Sequence, residues 1–202
     1  KTPITFKNDL EDAGMLFFDN MDDILKNKEL LQELGGSSAA ASKQTRTLNK
    51  ALVNELPHFI DATVSTIAMM TNAKATKESA KVQTLEVKNS ADQYASSIGF
   101  YGDVDGMIIL IFPKNIAKKA CELLIGEATE EEEAILDSLA EFVNIIGGRT
   151  KALLSEQKHR VDITLPRTYH DVNSLMEMAQ NKKGVQVDLS FEGSNFIFFL
   201  TR

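Results

Sequence analysis

The chain has 202 residues, 43% hydrophobic and 25% charged, with a net charge of −7 at neutral pH. This is ordinary globular composition, long enough for a substantial core, and it argues against wholesale disorder. The acidic balance argues against sequence-independent nucleic-acid binding, which needs a surplus of Lys and Arg to displace counterions.

A single cysteine, Cys121, has no partner for an intramolecular disulfide and fits a reducing cytoplasm. Its setting, AKKACELLIGE, is that of a buried helical thiol. No apolar run reaches the length of about 18 residues that a membrane span needs, and there is no charged-then-apolar leader. Neither a span nor a signal peptide is therefore expected. The first residue is Lys1, which fits a trimmed chain or a fragment of a longer protein.

From Asn8 to Leu34 the apolar residues Leu10, Met15, Leu16, Phe17, Met21, Ile24, Leu25, Leu30, Leu31 and Leu34 recur at helical spacing, and Gly35-Gly36 supplies a stop. The small, polar stretch 37–47 reads as a linker or a weak helix start. Residues 1–48 are thus expected to be an N-terminal helical extension with its linker, and residues 49–202 the main domain. The domain opens on a helix with Leu52, Leu56, Phe59, Ile60, Val64, Ile67 and Met70 at helical period, started or kinked at Pro57. His58 has no second ligand at metal spacing and reads as a surface or helix-start residue.

At Lys81 the period changes to two, and KVQTLEVKN over 81–89 is expected to be a strand. Two β-rich runs follow, joined through Gly102-Asp103-Val104-Asp105-Gly106, residues that tolerate a tight hairpin connection. The uninterrupted run Met107 to Phe112 predicts a strand covered on both faces. Asp103 and Asp105 resemble half of a calcium loop, but the remaining ligands and the closing Glu are missing. Pro113 starts a helix that Gly126 ends.

Next comes the longest helical pattern, Thr129 to Lys158, with Thr129 as cap, Glu130 to Glu133 in the first turn and Lys151 and Lys158 toward the end, as the macrodipole favours. Ile135, Leu139, Phe142, Val143, Ile146 and Leu153 fall on one side as a core stripe. Asp137, Glu141, Asn144 and Gly148 fall on the other at i, i+4, i+7 and i+11. By spacing alone that polar stripe is ordinary wet helix surface.

Beyond the helix, Val161, Ile163 and Leu165 alternate in a strand stopped by Pro166. A short helix or loop, DVNSLMEMAQNKKG, is expected to end at Gly184. A hairpin about Glu192-Gly193-Ser194 closes the chain. This order predicts an α+β fold, a mostly antiparallel sheet with helices packed on one face. Motifs for dinucleotide, P-loop, serine-hydrolase and zinc-protease chemistry are missing from the sequence.

Three features together resemble the CheC, CheX and FliY chemotaxis phosphatase family, CheX most closely. They are Asp137, Glu141 and Asn144 in D-x-x-x-E-x-x-N followed by IIGG, Pro166 about one residue short of the family's downstream proline, and the block SIGFYGDVDGMIILIFPKNIAKKACELLIGE.

The resemblance implies a CheX-like fold and a phosphatase acting on the aspartyl phosphate of a CheY-like response-regulator receiver. Asn144 would direct a water at phosphorus, and Glu141 would pair with a lysine of the receiver. Gly148 would leave room for the receiver's backbone, while Asp137 would share the partner-binding face without an assigned chemical role. Mg²⁺ would be supplied by the receiver and no metal held by this chain. The early-helix place of a second motif reads Asp61-Ala-Thr-Val64 and lacks the amide, which implies one site per chain, and the CheX type implies a homodimer. Two other readings stay open: a non-catalytic dimeric module that senses phosphorylated receivers or assembles a signalling or flagellar-motor complex, and a purely structural domain.

Overall fold

The computed structural model describes residues 50–179 and 182–202. The helix expected over 8–34 and the linker after it lie outside the described residues. The elements are α1 (Lys50–Asn54), α2 (Leu56–Thr71), β1 (Ala75–Thr84), β2 (Gln93–Gly102), β3 (Gly106–Pro113), α3 (Lys114–Ile125), α4 (Glu132–Glu156), β4 (Val161–Ile163), β5 (Arg167–Tyr169), α5 (Val172–Ala179), β6 (Lys183–Phe191) and β7 (Ser194–Thr201). The seven strands make one antiparallel sheet in the order β1-β6-β7-β3-β2-β4, with β5 also on β2.

Local chemistry sets the boundaries. Pro57 stands in the first turn of α2, where a missing N–H is harmless. α3 follows Pro113 and ends at Gly126, whose φ of 81° a side chain would resist. The closing hairpin turns on Glu192 and Gly193, both at positive φ, as a two-residue connection demands.

Alternation in β3 divides the core. Ile108, Leu110 and Phe112 enter the main cluster beneath α1 to α4, with Phe112 stacked on Phe196 at 4.5 Å between ring centroids. Ile109 and Ile111 point the other way, into a smaller cluster with Val172, Leu175 and Ala179 of α5. β3 is therefore covered on both faces, as its unbroken apolar run requires. The expected α+β fold is present, with the large helices on one face and α5 added on the other.

Several expected boundaries move. β1 spans Ala75–Thr84 rather than 81–89, because pairing with β6 starts at Ala75↔Phe191. Gly184 is not a helix terminator but a β6 residue, and a Cβ there would stand 2.4 Å from the carbonyl oxygen of Leu200. Thr129 lies outside α4, whose N-cap is Glu131; its hydroxyl accepts the Glu131 N–H at 3.1 Å. Lys158 lies past the end of α4.

Candidate functional site on the long helix

α4 is fixed on the sheet by its buried stripe. Ile135, Leu139, Phe142, Val143 and Ile146 are buried as expected, while Leu153 is half-buried and Leu136 and Leu154 are buried instead. Gly147 sets the depth: a Cβ there would stand 2.5 Å from Cδ1 of Ile98 on β2, so the helix backbone lies on the strand.

Asp137, Glu141, Asn144 and Gly148 are all exposed, and they share the opposite side of α4. Among the described residues none of the three side chains has a hydrogen-bond or ion-pair partner. A Cβ at Gly148 would meet nothing within 4 Å. On a helix, residues three apart stand about 5–6 Å from each other at Cβ. Glu141 and Asn144 thus present a carboxylate and a neutral carboxamide side by side to whatever approaches.

Two walls flank this stripe. On one side Arg149 donates through Nη1 to Ser65 Oγ of α2 at 2.6 Å, and its Nη2 lies 3.7 Å from Sδ of the exposed Met69. On the other side, β4, its link to β5, and β5 run alongside α4. Lys151 Nζ pairs with Asp162 Oδ1 at 2.7 Å near one end. At the other end Glu132 accepts from Tyr94 Oη at 2.6 Å and lies 3.3 Å from His170 Nδ1. Burial, then Glu132, pushes the Tyr94 phenol up to about 12. The Tyr94 hydrogen bond, with His170 after it, holds the Glu132 carboxyl below the usual carboxylate range.

The link departs from expectation. Strand β4 stops at Ile163, so Leu165 does not continue the alternation of Val161 and Ile163; it is 85% exposed. Ile163 pairs with Phe100 and Arg167 with Ser97, while Thr164 N–H donates to Gly99 O at 2.9 Å. Leu165 and Pro166 therefore share the single opposing residue Ile98, the count of a β-bulge, which reverses the facing of the side chain that follows. Pro166 lies in this link, ahead of β5.

Of the cavities found, one of about 570 Å³ lies between Lys81, Gln186 and Ile197, and one of about 410 Å³ between Tyr101, Lys158 and Arg160; neither is lined by Glu141 or Asn144. Small-molecule sites are concave. An exposed helix face carrying unpartnered polar groups is instead suited to a macromolecular surface that brings the rest of a site with it. Among the described residues no group of three or more His, Cys, Asp or Glu stands close enough to hold a metal, and no helix is long and apolar enough to cross a membrane.

Arg149, Met69, Leu165 and the Tyr94-Glu132-His170 cluster were not singled out by sequence. The Leu165-Pro166 step carried a signal for the wall formed by β4, β5 and their link, since a proline that ends a strand often marks a bulge. The others depend on which elements become neighbours.

An antiparallel sheet backed by a long helix with an exposed acid and amide is a CheX-like α+β fold. Residues 94–190, which include Glu141 and Asn144, match the family model for chemotaxis phosphatase CheX. The fold is similar to a putative chemotaxis protein from Desulfovibrio vulgaris Hildenborough, at 18% identity and a TM-score of 0.61 over 76% of this chain and 98% of that one. It is also similar to a chain of the CheX-CheY-BeF₃-Mg²⁺ complex from Borrelia burgdorferi, at 22% identity and a TM-score of 0.59 over 72% and 95%. CheX from Vibrio vulnificus aligns with 16% identity and a TM-score of 0.59 over 71% and 95%. No curated protein matches the sequence.

Proposed function

We propose that this domain hydrolyses the aspartyl phosphate of a CheY-like receiver, with Asn144 and Glu141 completing a site whose other half belongs to the receiver. The observation that carries the reading is the pair itself, exposed and without internal partners among the described residues, on a long helix inside the segment that matches the CheX model. The Borrelia burgdorferi complex, which contains CheX, CheY, BeF₃ and Mg²⁺, supports the choice of partner.

In this reading the Asn144 carboxamide oxygen accepts a hydrogen bond from a water and its NH₂ donates toward a phosphoryl oxygen, so one neutral group orients the nucleophile in line. The water oxygen bonds to phosphorus as the bond from phosphorus to the aspartyl oxygen breaks. The receiver's carboxylate is regenerated and inorganic phosphate leaves. Glu141 accepts from a receiver lysine and fixes the docking angle, while Asp137 and Gly148 extend the contact face. Mg²⁺ is held by the receiver's acids and offsets phosphoryl charge there. An acyl phosphate is already activated, so positioning and electrostatics suffice without a covalent enzyme intermediate.

The proposal also includes residues 1–48 as a separate extension and a homodimer through the sheet edge at β1, which among the described strands is paired on one side only. Substoichiometric domain added to phosphorylated receivers with Mg²⁺ should shorten the phosphoryl lifetime. Binding without faster phosphate loss would assign a sensing module instead.

A further inference from the structure

The bulge at Leu165 has a defined position along α4. Lys151 meets Asp162 and Glu132 meets His170, so the segment 162–170 runs antiparallel to 151–132. Nineteen helical residues span about 28 Å, and eight extended ones about 26 Å. The two paths therefore keep step. Leu165, three residues from Asp162, falls about 10 Å along, which is about seven helical residues back from Lys151 and hence level with Asn144. The β2 register agrees, because Leu165 and Pro166 lie opposite Ile98, the residue on which Gly147 rests.

Single exposed apolar residues are common and usually mean nothing. Leu165 differs in being held. Thr164 fixes the backbone before it through N–H to Gly99 O and by accepting the Gly99 N–H on Oγ1, both at 2.9 Å, and through Oγ1 to Leu165 O at 3.0 Å. After it, Pro166 restricts φ and Arg167 re-enters the sheet. A leucine presented on pinned backbone loses little freedom when a partner covers it. The exposed Met69, tethered by Arg149, stands on the α2 side of the same stripe.

We propose that Leu165 is the apolar anchor by which the domain docks a receiver, packing against the receiver's surface beside the phosphorylated aspartate while Asn144 and Glu141 reach into its site. This rests on the phosphatase reading for its occupant, and continuity with the Asn144 stripe selects that occupant over a second copy of the chain. Leu165 positions the partner and takes no part in bond breaking.

The test uses the full chain, a panel of purified CheY-type receivers, and two readouts. One is steady-state dephosphorylation; the other is binding to receiver loaded with BeF₃ and Mg²⁺, which requires no hydrolysis. For the receiver that the wild type dephosphorylates, L165S should raise KM and the dissociation constant about tenfold, equivalent to about 1.4 kcal/mol, with kcat changed by less than about twofold. L165M should restore both constants, and thermal melts of the two variants should match wild type. Unchanged KM and binding in L165S, beside a wild type that is active and an N144A that is not, would overturn the anchor and leave the phosphatase reading standing. A wild type that binds loaded receivers but does not speed phosphate loss would remove the phosphatase reading, and the binding readout would still decide the anchor. If no receiver in the panel binds, both fall.

Discussion

Gly147 lies on Ile98 so closely that a Cβ would come within 2.5 Å of the isoleucine's Cδ1, whereas Gly148, the next residue along, has nothing within 4 Å. The two glycines share a helix and differ only in what they face. Replacing either with Ala gains about 1 kcal/mol of helix propensity. At 147 the added methyl overpacks a buried contact, which typically costs about 1–3 kcal/mol. G148A should therefore be more stable than wild type and G147A less stable than G148A by about 1–3 kcal/mol, read as denaturant midpoints at constant slope. Equal midpoints would contradict the close seating of α4 on β2.

N144A should leave stability within about 0.5 kcal/mol of wild type, since the side chain is exposed and unpartnered. Loss of a group that orients the attacking water should lower the dephosphorylation rate by about 10²–10³-fold. E141A should also fold normally, and if it grips a receiver lysine its main effect should fall on KM. A cooperative melt for each variant, set beside its kinetics, separates a damaged site from a damaged fold.

Tyr94 supplies a pH signature. Burial first and Glu132 second raise its folded pKa to about 12, above the usual value near 10. The unfolded chain thus releases this proton before the folded one does. The stability tied to the neutral phenol is intact below about pH 10 and is lost as pH rises toward about 12. The phenolate absorbance that Y94F removes should develop only above the usual value near 10, and E132Q should bring it earlier. Release of the Tyr94 proton at the same pH in wild type and E132Q would contradict the Tyr94-Glu132 contact. At acid pH the sign reverses for Glu132: its depressed carboxyl favours the fold above the usual carboxylate range, and that contribution is lost as pH falls through the lower folded value.

Cys121 is fully buried, accepting from Ser138 Oγ at 3.0 Å and lying 3.4 Å from Ala134 O at the seam between α3 and α4. A thiol so placed should react with a thiol reagent only when the domain opens. Labelling should be negligible in the native state and complete in denaturant. Prompt native-state labelling would show that the α3-α4 seam opens locally.

The parts of this fold that the sequence disclosed were those where one residue type has one physical use. Met107 to Phe112 is apolar at every step because both faces are covered. Pro57, Pro113, Gly126 and the Glu192-Gly193 turn stand where backbone chemistry leaves few alternatives. Asp137, Glu141, Asn144 and Gly148 could be placed on one side of α4 by helical period alone, whereas the proposal that they meet a partner came from the resemblance.

Other features were hidden for a common reason: they depend on pairing. ATKESA at the start of β1 has little strand character of its own and is extended by β6. In sequence Leu165 repeats the alternation of Val161 and Ile163, but β4 stops at Ile163 and the extra residue opposite Ile98 places Leu165 in an exposed link. The three-residue β5 is too short to carry a period, and it forms because β2 offers it partners.

The most direct measurement follows phosphate loss from a CheY-type receiver in Mg²⁺ with wild type and with N144A, each at saturating receiver. Fast multiple-turnover release by wild type, with N144A reduced to near the receiver's own rate while still binding it, is the predicted result. N144A turning over at the wild-type rate would contradict the claim that this amide places the attacking water.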